Sequence, residues 1–197
     1  GGRQSMVWSE YWTQRNYTSE DRYAIRQNTN SLYWRLIYHD INNLQEIIRL
    51  NTDPATMAMA ALEGDNTNQI ACATILKIWA MHIMADTYGD IPYSEAFQGE
   101  GEYAILTPKY DNLKDLYSTF LSELKTAVES IVPENGGFIT GDVIYNGDME
   151  QWEKFGNSLR LRIAMRMSNS DNYAAANAIL AEVGEEGFLS SNADNAD

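Results

Sequence analysis

The chain has 197 residues, with 14 Lys and Arg against 28 Asp and Glu and a formal net charge of −14. That balance excludes the basic patch on which nucleic-acid binding depends, and docking onto anionic lipid by charge alone. With 44% hydrophobic residues, it has the composition of a globular protein long enough to bury a sizeable core in one domain.

The first segment holds Trp8, Tyr11, Trp12, Tyr17 and Tyr23, interleaved with Ser9, Glu10, Gln14, Arg15, Asn16 and Asp21. It lacks a clean amphipathic pattern and precedes the first clear helix. The first predicted helix is Ser31 to Leu50, with Tyr33, Ile37, Ile41, Leu44 and Ile48 three or four residues apart. Pro54 prevents its simple continuation. A second helix, Asn66 to Tyr88, is apolar on nearly every side, as expected of a helix buried among others. Gly89 and Pro92 stop it, and a long loop from Ile91 to Tyr110 follows.

The third helix runs from Asp111 to Ile131. Leu113, Leu116, Tyr117, Phe120, Leu121, Leu124, Val128 and Ile131 form one stripe, and Asp111 is the expected N-cap. Pro133 and Gly136-Gly137 end it. Phe138-Ile139-Thr140 and Val143-Ile144-Tyr145 are the only strand signals, both short and glycine-bounded. Met149 to Ser168 places Trp152, Phe155, Leu159, Ile163 and Met167 on one face. Asp171 then caps a short alanine-rich helix, Tyr173 to Val183. Helix, loop, antiparallel helix is the natural outcome. The regular ~34-residue period of tetratricopeptide arrays is not visible.

Candidate chemistry is sparse. Cys72 is the only cysteine and lies in an apolar helix, where free thiols are usually buried and inert. His39 and His82 sit on separate helices without ligand-spaced partners, so no zinc site is expected, nor any cofactor. The apolar run Ile70 to Met84 is too short for a membrane span and contains Lys77 and His82. Asp86, Asp90 and Glu95 admit an acid–base pair or part of a calcium site. With 28 acidic residues in the chain, the simpler expectation is that Asp86 and Asp90 satisfy backbone N–H groups around Gly89. Arg160 and Arg162 point about 160° apart on a helix, so with Arg166 they form no single anion patch. Pairing with carboxylates or loop carbonyls is expected of them. No catalytic constellation emerges.

Four stretches carry a resemblance. Asp86-Thr87-Tyr88-Gly89-Asp90-Ile91-Pro92-Tyr93-Ser94-Glu95-Ala96 is the first, and Pro108-Lys109-Tyr110-Asp111 the second. Gly141-Asp142-Val143-Ile144-Tyr145-Asn146-Gly147-Asp148 is the third. The fourth runs from Trp152-Glu153-Lys154-Phe155-Gly156-Asn157-Ser158-Leu159 through Arg160, Arg162 and Arg166. In this order they resemble the SusD/RagB-like outer-membrane nutrient-binding lipoproteins of Bacteroidetes. The resemblance implies an all-α fold of irregular tetratricopeptide-like helix pairs with long ordered loops. It also implies a non-enzymatic protein, lipid-anchored on the extracellular face of the outer membrane, that passes glycans or other small nutrients to a TonB-dependent, SusC-like transporter. Family members are considerably longer. Residues 1–197 are therefore expected to form one SusD-like helical domain, a fragment lacking the C-terminal half, and the chain's start shows no lipid-acceptor cysteine. The alternative function is a helical-repeat scaffold for another protein.

Aromatic rings beside amide and charged groups are what a carbohydrate platform requires, because sugar C–H faces stack on rings while polar neighbours bond the hydroxyls. Trp8, Tyr11, Trp12 and Tyr17 are thus the expected ligand-binding residues. The competing expectation is that these rings pack the segment onto the helices.

Overall fold

A computed structural model describes residues 2–24, 27–101, 104–171 and 173–196. The chain divides into two units, Gly1–His39 and Asp40–Asp197. In the first, helix α1 (Gly2–Trp8) adds to the helices that periodicity shows. Two turns are too short for a periodic apolar stripe to register in a sequence. The chain then folds back on α1, with the N–H groups of Tyr11 and Trp12 donating to Met6 O at 3.0 and 3.1 Å. Gln14 and Asp21 clasp the following loop: the Gln14 N–H donates to Asp21 Oδ2 at 2.7 Å, and the Asp21 N–H returns to Gln14 Oε1 at 3.4 Å. Helix α2 (Gln27–Thr52) begins here and exceeds its predicted limits at both ends.

The second unit holds the rest of α2, then α3 (Met57–Ala60), α4 (Asn66–Tyr88), α5 (Leu113–Glu129), α6 (Met149–Arg166), α7 (Ser168–Asp171) and α8 (Ala174–Val183). α5 packs against both α4 and α6, and α8 against α6. Successive helices therefore form irregular tetratricopeptide-like pairs, and the fold is all-α. Ile75, Ile78, Met81, Met84, Phe120, Leu124 and Ile163 are fully buried between them. α4 is long and apolar enough to cross a membrane by length and composition alone. Half of that apolar stretch is buried in the fold, packed against α5 and α6, and Asn68, Gln69 and His82 are buried on it, while Trp79 is exposed.

Three local expectations are corrected. The N-cap of α5 is Asn112, whose side chain accepts from the Lys114 N–H. Asp111 is held away by a bridge to Ile91 and by the N–H groups of Tyr93 and Ser94, which donate to its Oδ2 at 2.9 and 2.7 Å. Tyr173, in a left-handed conformation, occupies the N-cap of α8, while Asp171 reaches in from two residues upstream to accept from the Ala175 N–H at 3.1 Å. Among the described residues there is no strand, and the two strand signals flank a turn built on Asp142. Its Oδ1 accepts from Ile144 and Tyr145 and its Oδ2 from Gly147 and the Trp152 indole.

Gly89 closes α4 with φ 82° and ψ −124°, a region that L side chains rarely adopt. A Cβ there would meet nothing within 4 Å, so the cost of a side chain is purely conformational. Gly89→Ala is expected to lower stability by about 1 kcal/mol or more, read as a shift in urea midpoint. An unchanged midpoint would contradict it. The carboxylates beside Gly89 do not serve its own turn. Asp90 accepts from the distant Leu113 N–H at 2.9 Å. Asp86 binds Arg166 of α6 at 2.5 Å and takes the Tyr117 hydroxyl of α5. Arg160 is 3% exposed and bonds Asn157 and Glu182 at 2.9 and 3.0 Å. Arg160 and Arg166 thus tie helices together through carboxylates, as expected of them.

His82 is completely buried, with Nδ1 3.3 Å from Ile78 O and no partner at Nε2. Burial holds its pKa below the usual histidine value, outweighing the Ile78 carbonyl and Asp86, which favour the cation. The unfolded chain therefore takes up a proton that the folded chain resists. Stability from this group is present above about pH 6.5 and is lost as pH falls below it. Urea midpoints should decline between neutral and mildly acidic pH, and less so in His82→Gln. An equal decline in both proteins would rule out this source.

Candidate functional site

In the N-terminal unit, Val7 and Glu20 are buried, and the rings around them divide into anchored and open. The Trp8 indole N–H donates to Glu20 O at 3.0 Å, and its ring lies 5.9 Å from that of Tyr23, tilted by 33°. Trp8 is still 38% exposed. Tyr11, Trp12 and Tyr17 are open to solvent at 78%, 57% and 87%. Packing therefore accounts for one edge of Trp8 and leaves the other three rings unexplained. Tyr17 has φ 57° and Glu10 φ 61°, conformations that cost a non-glycine residue energy and concentrate at functional sites. All four predicted residues fall within ten positions of one another: Trp8 ends α1, Tyr11 and Trp12 lie where the chain folds back on it, and Tyr17 lies in the loop that Gln14 and Asp21 clasp.

Three of the concavities in the second unit differ in character. One of about 730 Å³ is an open polar groove beside Gly64, Asp65, Asn66, Asn135 and Asn146. Most of these polar groups already serve the fold: Asp65 caps α4 and holds Asn135, and Asn66 binds Asn51. Another, about 360 Å³ and apolar, is lined by Leu44, Ile47, Cys72, Leu76, Ile144 and Trp152. Burial pushes the Cys72 thiol far above its usual pKa, so it is inert as expected. The third, about 200 Å³, lies between α2, α4, α5 and the loop after Pro92, lined by Gln45, Lys77, Tyr93, Ser94, Phe97 and Glu123 among others.

Sequence reading missed the residues of this last cavity. Tyr93 belongs to the loop motif and is 8% exposed, its hydroxyl donating to Glu123 Oε2 at 2.5 Å. Burial, with Glu123 beside it, raises its pKa and keeps the phenol a donor. Lys77, on α4, lies 3.4 Å from the same Glu123 oxygen and 5.2 Å from the centroid of the Tyr93 ring. A lysine interrupting an otherwise apolar helix was the available signal. Among the described residues no group of three or more His, Cys, Asp or Glu side chains is placed to hold a metal ion.

The family model for SusD-like proteins, described as starch-binding and associating with the outer membrane, matches residues 3–197. A solved chitin-binding protein is 33% identical with a TM-score of 0.71, over 94% of this chain and 37% of its own. A SusD-like protein from Bacteroidetes is 32% identical with a TM-score of 0.69, over 87% of this chain and 30% of its own. A SusD homologue from Parabacteroides distasonis is 28% identical with a TM-score of 0.72, over 91% of this chain and 33% of its own. No curated protein matches. The chain spans about a third of the length of these solved relatives. By the family match over nearly its full length and by the fold it shares with these structures, the chain belongs to the SusD-like family.

Proposed function

We propose that the protein binds glycans at the cell surface, without bond breaking, and that Trp8, Tyr11, Trp12 and Tyr17 form part of the ligand surface. The observation that carries this reading is the exposure of Tyr11, Trp12 and Tyr17, three large rings within seven residues. Exposed aromatic clusters of this kind mark binding surfaces. Interleaved Glu10, Gln14 and Asn16 supply hydroxyl partners. The whole protein is lipid-anchored on the extracellular face of the outer membrane and delivers its ligand to a SusC-like, TonB-dependent transporter. The match to a starch-binding family and the likeness to a chitin-binding protein support a polysaccharide ligand. Stacking involves no net charge, so binding depends little on salt, unlike phosphate recognition. The test is retention on insoluble starch and chitin, with titration of soluble malto- and chito-oligosaccharides, for the parent and for Trp8→Ala/Trp12→Ala. Loss in the double variant supports the assignment. Unchanged binding removes it, and binding of a partner protein with no glycan bound favours the scaffold function.

A further inference from the structure

The 200 Å³ cavity in the second unit has a use that packing does not explain. Lys77 interrupts the apolar run of α4, and its side chain is only 13% exposed. Placing a cation there costs desolvation energy, which the loose 3.4 Å contact with Glu123 and the face of the Tyr93 ring, 5.2 Å from the ammonium, recover only in part. The Tyr93 hydroxyl and Lys77 both converge on Glu123 Oε2. Among the described residues nothing donates to Glu123 Oε1, and the half-buried Gln45 amide on α2 takes no protein partner. Lys77 has three N–H groups and one carboxylate contact. The cavity lining thus offers a carboxylate oxygen, ammonium N–H groups and a complete amide. On its rim Phe97 is held at φ 62°, a conformation that costs a non-glycine residue energy.

These groups select the ligand by elimination. The ion pair neutralises itself, so neither a cation nor an anion finds a net partner, and a chain of −14 repels anions further. Apolar ligands would leave the carboxylate and amide unpaired. Alternating donors and acceptors of this kind match adjacent hydroxyls, each of which both donates and accepts. The volume falls below the roughly 300–1,000 Å³ of sites for drug-sized ligands, which restricts the occupant to about one ring. We propose that this cavity is a subsite for a single neutral polyhydroxylated ring, a monosaccharide unit, held by Glu123, Lys77 and Gln45. The ligand class rests on the glycan-binding reading above, while the site uses none of the N-terminal rings.

The test is an amide-resolved NMR titration of the 197-residue protein with glucose, N-acetylglucosamine, galactose and xylose, each to about 50 mM, since one ring with few contacts binds near the millimolar range. The expected result is a saturable shift of the Gln45 side-chain amide and of the Lys77, Tyr93 and Glu123 backbone signals with at least one sugar. Gln45→Ala and Glu123→Gln should each weaken that titration about tenfold or more. Should Glu123→Gln fail to fold, Gln45→Ala decides, because its side chain bonds nothing in the protein. No shift with any sugar, or titrations unchanged in the folded variants, overturns the subsite. The titration reads positions 45, 77, 93 and 123 directly. Its failure is therefore separate from a failure of starch or chitin retention, which reads the rings at 8 and 12.

Discussion

Trp152→Ala is expected to lower unfolding free energy by roughly 3–5 kcal/mol, the range for truncating a core aromatic. Trp152 is 2% exposed, on the first turn of α6. Its ring meets Tyr145 edge-on at 5.5 Å and lies 5.9 Å from Phe155. It also forms one wall of the apolar cavity, so truncation enlarges an existing void. Beyond packing, its indole N–H donates to Asp142 Oδ2 at 2.7 Å. Burial raises the Asp142 pKa, but this indole and the Gly147, Tyr145 and Ile144 N–H groups together hold it below the usual carboxylate range. Trp152→Phe separates the two contributions, keeping most of the volume and losing the donor. Its cost should be smaller, about 1–2 kcal/mol. Urea denaturation followed by far-ultraviolet circular dichroism measures both. A Trp152→Ala midpoint near that of the parent would contradict the placement of this side chain.

Asn68→Ala is expected to cost roughly 2–4 kcal/mol through unpaired backbone groups rather than lost apolar contact. Asn68 is fully buried on α4. Its amide donates to Val132 O at 2.8 Å and Gly136 O at 2.5 Å, and accepts from the Val132 N–H at 2.9 Å. One side chain thus completes the backbone bonding of the turn that leaves α5. Removing it orphans two groups, the Val132 N–H and the Gly136 carbonyl, while Val132 O keeps the Asn135 N–H at 3.1 Å; Gly64 and Phe138 also pair backbone to backbone there. Faster amide exchange at Val132, with α6 protection retained, would locate the damage. A midpoint within experimental error of the parent, with slow exchange at Val132, would contradict it.

Periodic signals transmitted well from sequence to structure, and pairings did not. α4 runs Asn66–Tyr88 as predicted, because Asp65, Gly89 and Pro92 act within one turn of its ends. α5, α6 and α8 end within about two residues of their predicted limits, for the same local reasons. Asp111 misled because Asn112 beside it caps equally well. The choice is made by Tyr93 and Ser94, which engage Asp111 across 18 and 17 positions. Asp86 and Arg166 are 80 positions apart, and Lys77 finds Glu123 on a different helix. No spacing rule reaches such pairs. Trp8, Tyr11, Trp12 and Tyr17 were legible as a cluster, but the division between anchored Trp8 and exposed Tyr17 depends on a clasp that only the fold supplies.

The N-terminal ligand surface is tested most directly by the five tryptophans themselves. Fluorine NMR of 5-fluorotryptophan protein resolves positions 8, 12, 34, 79 and 152 during titration with malto- and chito-oligosaccharides. The Trp8 and Trp12 signals should move saturably with a bound oligosaccharide, while that of the buried Trp152 stays in place. A saturating oligosaccharide that leaves Trp8 and Trp12 unmoved would contradict the assignment of the ligand surface to this segment.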